Sequence, residues 1–176
     1  YGRFLNPYIF LKSDTQDDKE FPTKGVYFSA EGKVIDLLKS EVDKRIVQIK
    51  ADLRINIPLW KQFTYRLNLF GGITIGENLP QFYQYRLGGI FEQNIINFRS
   101  FGGFYFAQLH TNNVIIASND LQFRFNKNYF ISGNFSFANL SNDIKFEDAV
   151  KVNFSSLGIT AGYKSPFGQI KVNFSH

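Results

Sequence analysis

Residues Val47 to Leu59 alternate without a break. Val47, Ile49, Ala51, Leu53, Ile55, Ile57 and Leu59 are apolar, while Gln48, Lys50, Asp52, Arg54 and Asn56 between them are polar or charged. A period of two places successive side chains on opposite faces of a strand, so this stretch is a strand with one apolar and one polar face. Thirteen residues at about 3.3 Å each reach roughly 40 Å, well beyond the usual strand of about 5–6 residues. Tilted by about 40°, such a strand spans roughly 30 Å, the thickness of a bilayer's hydrocarbon core.

The same plan recurs along the chain. Val26, Phe28 and Ala30 alternate with Tyr27, Ser29 and Glu31. Phe63, Tyr65, Leu67, Leu69, Ile73 and Ile75 share one face, opposite Thr64, Arg66 and Asn68. Further alternating runs cover 114–125, 129–137 and 170–175. The run 152–163 changes phase at Ser155-Ser156, which predicts a bulge. A weaker strand near the start is interrupted at Pro7, which has no ladder donor. About eight strands result, joined by connections of two kinds. Short turns at Pro58–Gln62, Asn126–Asn128 and Lys164–Gly168 alternate with longer loops at Asp36–Lys44, Glu77–Asn113 and Asn139–Ala149. This sorting suits an all-β, antiparallel transmembrane β-barrel of the outer membrane, with short periplasmic turns and long outward loops.

Mean hydropathy is only −0.19, but a barrel wall averages its two faces and hides from that measure. No apolar run approaches the roughly 18 residues of a transmembrane helix. Aromatics make up 18% of the chain, with 21 Phe and 9 Tyr, as a lipid-facing wall with interfacial girdles requires. The girdle candidates flank the short turns: Trp60, Phe63, Phe125, Tyr129, Tyr163 and Phe167. A soluble ligand-binding barrel shows the same alternation with the faces reversed. Strand length and these aromatics favour lipid outside. Gln48, Lys50, Asp52, Arg54, Arg66, Gln122 and Arg124 are then expected in the lumen, since Arg or Lys facing lipid at mid-depth costs roughly 2–4 kcal/mol. The net charge is +5, but Lys and Arg are spread along strands rather than clustered, which argues against a nucleic-acid partner.

Little points to chemistry within the chain. Cys is absent and there are two His, His110 and His176. Neither a metal site nor any other cofactor is expected. No Gly-x-Ser-x-Gly elbow occurs, and Gly133-Asn134-Phe135-Ser136 lacks its spacing, so no catalytic residue is assigned. The pairs Gly71-Gly72, Gly88-Gly89 and Gly102-Gly103 read as bulges and hinges, since no Lys-Ser/Thr helix start follows them.

Four motifs occur in order. They are Phe21-Pro22-Thr23-Lys24-Gly25, Tyr85-Arg86-Leu87-Gly88-Gly89, Asn119-Asp120-Leu121-Gln122-Phe123 and Ser165-Pro166-Phe167-Gly168-Gln169-Ile170. With them the chain resembles the C-terminal barrel of bacterial patatin-like phospholipases. That barrel is of the surface-antigen type shared with insertases and two-partner-secretion transporters. The superfamily's Val-Arg-Gly-Phe loop signature is degenerate here as Phe98-Arg99-Ser100-Phe101, and Gln169 stands where Pro is usual. The resemblance implies one barrel segment over residues 1–176, roughly the C-terminal half of a sixteen-stranded barrel. The loop sorting, which starts and ends the segment at the outer surface, leads to the expectation that it is incomplete at both ends. The resemblance also implies a Ser–Asp acyl hydrolase domain upstream. The implied partners are the outer-membrane bilayer and upstream domains of the same protein or other outer-membrane subunits. A transporter or insertase barrel with no enzyme attached is the alternative. The long loop is expected to fold back into the lumen and bring Arg99 to Asp120.

Overall fold

A computed structural model describes residues 3–38, 45–77, 79–90, 96–142 and 152–176. One antiparallel sheet dominates. Its strands are β1 (Arg3–Leu5), β2 (Tyr8–Asp14), β3 (Gly25–Leu38), β4 (Arg45–Pro58) and β5 (Phe63–Ile75), then β9 (Asn113–Arg124), β10 (Tyr129–Ser141), β11 (Phe154–Ser165) and β12 (Gly168–Ser175). β1 and β2 both pair with β3, at different heights. They are one strand broken at Asn6-Pro7, where the Pro7 carbonyl still accepts from the N–H of Val34 at 3.0 Å. Counted so, the sheet has eight strands, each paired with its neighbour in sequence, from β1/β2 to β12. It is a partial barrel.

Alternation sets the two faces. In β4 the side chains of Gln48, Asp52 and Asn56 are buried on the concave side, while Ile49 and Ile57 point outward and are exposed. The same parity holds across the ladder, where Leu53 pairs with Phe28 and Leu69 on the outer face. The strands also run further than the sequence suggests. The connection expected at Asp36–Lys44 is strand as far as Leu38 and again from Arg45, and the one expected from Asn139 is strand as far as Ser141. Residues 39–44 and 143–149 of those two loops lie outside the described residues.

The bulge expected at Ser155-Ser156 is absent. The β10–β11 register runs unbroken from Tyr129↔Tyr163 to Ala138↔Phe154. The change of phase has another cause. Phe154 faces inward, where its ring meets Phe104 edge-on at 5.5 Å. The concave face is therefore not polar throughout. Phe70, Val114, Ile116 and Ala138 form a buried apolar cluster on it with Tyr85, Leu87 and Phe101. Those last three come from the connection between β5 and β9. It folds inward as a 3-10 turn (Gln81–Tyr83) and a small sheet of β6 (Tyr85–Leu87), β7 (Phe98–Arg99) and β8 (Leu109–Thr111). Apolar residues in the polar phase mark where this insert covers the wall.

Candidate functional site: a lumen braced from within

The inserted loop is positioned by close approach. Tyr85 is 1% exposed, and its ring lies so near β5 that a Cβ on Gly72 would sit 2.4 Å from Cζ. Only glycine leaves room there. The Tyr85 hydroxyl donates to the Ile49 carbonyl of β4 at 3.3 Å. Gln48 Nε2 donates to Thr74 Oγ1 at 2.9 Å and to the Tyr83 carbonyl at 2.7 Å, tying the loop's entry to β4 and β5. Gly88 (φ +129) takes a conformation closed to side chains, with Tyr105 O where its Cβ would go. At the far side the Gly103 N–H donates to Ser175 Oγ of β12 at 3.1 Å. The loop thus spans the concave face from β4 to β12.

The loop does carry Arg99 to a lumenal carboxylate, but to Asp52 rather than the expected Asp120. Arg99 Nη1 lies 3.2 Å from Asp52 Oδ2. Its guanidinium also sits 3.9 Å from the Phe70 ring centroid. Asp52 and Phe70 are direct partners across β4 and β5, so one cation covers both members of a pair. Asp52 additionally accepts from Arg54 Nε at 3.1 Å and Nη2 at 2.9 Å. Asp120 has a different partner because the β5–β9 register places it opposite Arg66. Arg66 Nη2 reaches Asp120 Oδ2 at 2.6 Å and Nε reaches Oδ1 at 3.3 Å. Forked guanidinium–carboxylate contacts of this kind are strong and directional.

The remaining residues expected in the lumen fall as follows. Lys50 pairs with Glu31 at 2.9 Å. Gln122 is 1% exposed and donates to the Pro22 carbonyl at 3.5 Å. Arg124 lies at the short-turn rim, donating to the Lys61 carbonyl at 3.2 Å. The aromatics named for the girdle gather at that same end. Phe63 and Phe125 each contact Phe123, at 4.8 and 4.7 Å, and Tyr129 stacks near Tyr163 at 4.7 Å. Trp60 and Phe167 are exposed. His110 pairs with Arg86 in the loop sheet, and among the described residues no three His, Asp or Glu converge as a metal set.

Sequence reasoning passes over Phe70, names Tyr85 and Phe21 only within motifs, and assigns no lumenal contact to them or to the turn between β2 and β3. Residues of that turn line a polar cavity of about 480 Å³ together with Asp52, Arg99 and Asp120. A signal for the first was present: Phe70 stands in the polar phase of its strand. For the last, Phe21 is the one aromatic in a turn made mostly of polar and charged residues. Within that turn, burial pushes the Asp17 carboxyl up, but bonds from the Thr23 hydroxyl and the Thr23 and Lys24 N–H groups outweigh it and hold it below the ordinary value.

The sequence profile of the OMP85 superfamily matches residues 2–176. A search of curated proteins gives no match. Among solved structures the chain is similar to BamA from Haemophilus ducreyi lacking POTRA domains 1-3. The TM-score is 0.75 at 16% identity, over 97% of this chain and 38% of that one. With a continuous antiparallel wall, an apolar outer face and this match over nearly every residue, the chain belongs to the OMP85 superfamily and lies in the bacterial outer membrane.

Proposed function

We propose that this chain is the membrane-embedded barrel part of a longer protein and anchors a patatin-like phospholipase domain that precedes it. The observation that carries the reading is the occupied lumen. The loop that enters it is buried at Tyr85, Leu87 and Phe101, and its Arg99 is paired on Asp52. A wall braced from within by its own chain suits a rigid support. The four ordered motifs and the altered loop signature Phe98-Arg99-Ser100-Phe101 point the same way. The chemistry would reside upstream, since no nucleophile elbow occurs here. The bilayer and the upstream domain are the partners this reading requires.

A transporter or insertase barrel without an enzyme is the second reading, favoured by the likeness to the BamA fold. One experiment separates them. Outer membranes carrying the full protein are assayed for release of fatty acid from phospholipid vesicles, with and without the region upstream of Tyr1. The anchor reading expects hydrolysis that disappears with the deletion. No hydrolysis, together with loss of other outer-membrane barrels when the protein is depleted, would sink it in favour of the second.

A further inference from the structure

The turn between β2 and β3 is built as a rigid arm. Its base extends the hairpin ladder, with Thr15 N–H donating to Val26 O at 2.9 Å and Asp17 N–H to Lys24 O at 3.2 Å. Asp17 Oδ1 then accepts from the N–H of Thr23 at 2.8 Å and of Lys24 at 3.1 Å. The arm does not stay beside its own hairpin. Phe21 crosses the concave face and stacks on Phe130 of β10, with ring centroids 4.2 Å apart and planes within 2°. Its edge fills a seat over Gly162 of β11, where a Cβ would lie 2.5 Å from Phe21 Cε1. Asp18 pairs with Lys164 of β11, and Glu20 with Lys171 of β12 at 3.7 Å. The Pro22 carbonyl accepts from Gln122 of β9.

All of these contacts lie at the short-turn end of the sheet. Phe130 and Gly162 are direct partners beside the short turns that join β9 to β10 and β11 to β12. The arm also forms one wall of the lumenal cavity, through Gln16, Glu20, Phe21 and Pro22. The inserted loop covers the opposite end. The cavity is thus bounded by two segments of the same chain, one entering from each rim. The arm's grip is the lesser of the two. Its ion pairs are half-exposed, and such pairs are weak in water. The buried Phe21 ring is its main hold.

We propose that residues 15–24 are a latch that closes the lumenal cavity to the periplasm, held by Phe21 in the Gly162 seat and by the Asp18–Lys164 and Glu20–Lys171 pairs, and that its release admits small hydrophilic solutes. The test uses the full protein in vesicles of phosphatidylethanolamine and phosphatidylglycerol. Ser118 lines the cavity on β9, and this chain has no other cysteine to compete with Ser118→Cys. The readout is the rate at which a small charged methanethiosulfonate labels that cysteine. Gly162→Val evicts Phe21 and should raise the rate severalfold. Gly133→Val is the control, since a Cβ there meets nothing within 4 Å. Lys164→Glu, at the exposed rim, should raise the rate without threatening the wall, and adding Asp18→Lys should bring it back. Equal rates for Gly162→Val and Gly133→Val would overturn the latch. If Gly162→Val does not fold, Lys164→Glu decides alone: no acceleration, or acceleration that Asp18→Lys leaves in place, overturns it.

Discussion

Asp52 and Leu53 are neighbours in sequence with opposite surroundings. Leu53 points out of the wall beside Phe28 and Leu69, while Asp52 is 5% exposed beneath Arg54 and Arg99. A charge on the outer face at mid-depth has no partner and meets lipid. Leu53→Arg should therefore cost roughly 2–4 kcal/mol. Arg54→Gln should cost about 1 kcal/mol or less, because Arg54 is partly solvated and Asp52 keeps Arg99. Urea titration of the full protein in lipid vesicles, followed by heat-modifiable gel mobility, measures both. Equal losses would mean the two faces are not distinct. Face assignment was legible at this scale because it needs only the parity of one residue. The partner of Arg99 was not. It depends on the β5–β9 register, and a connection of some forty residues leaves that register open, whereas a tight turn would set it.

At the scale of elements, the two lumenal segments act as braces, and each uses an aromatic ring over a glycine. Gly72→Ala would drive a methyl into the Tyr85 ring, and overpacking of that kind costs about 1–3 kcal/mol. Gly71→Ala, one residue away, meets nothing within 4 Å and should be close to neutral. Limited proteolysis within 77–112 should then be faster in Gly72→Ala than in Gly71→Ala, and equal rates would show that Tyr85 does not hold the loop. The β2–β3 arm makes a prediction in pH. The Asp17 carboxyl is held below its ordinary 3.8 despite burial, chiefly by Thr23 and then Lys24. A carboxyl that is more acidic when folded stabilises the arm fully above the unfolded value and loses that contribution as pH falls through the lowered one. Hydrogen exchange at the Thr23 and Lys24 amides, corrected for intrinsic rate, should lose protection only below about 3.8. Asp17→Asn should abolish that step; a step that persists in the variant assigns it elsewhere. None of these contacts shows as periodicity. What the sequence did carry were apolar residues out of phase, Phe70 and Phe154 among them. The latter reads as a bulge in sequence alone, because a phase change along one strand has two causes that look alike.

For the whole molecule, the wall is a meander whose ladder begins at β1/β2 and ends at β12, and these two edges do not pair with each other among the described residues. Outward-facing Ile170, Val172 and Phe174 on β12, and Ile9 and Leu11 on β2, are exposed. Both edges therefore run through the apolar band with backbone donors and acceptors unpaired on one side. In hydrocarbon each such group costs several kcal/mol, so an open edge is not a stable end state for a membrane wall. The braces do not relieve this. They hold the concave face, reaching β12 through Ser175 and Lys171, and leave the edge ladder untouched. Residues 1–176 refolded alone into detergent should consequently give no monomeric, heat-modifiable barrel. They should associate through their edges or fail to fold, while the full protein folds as a single species. Cross-linking and gel mobility at low protein concentration decide between these outcomes. A stable monomer in which β2 pairs with β12 would show that eight strands close on themselves, and the requirement for further pairing in the intact protein would fall.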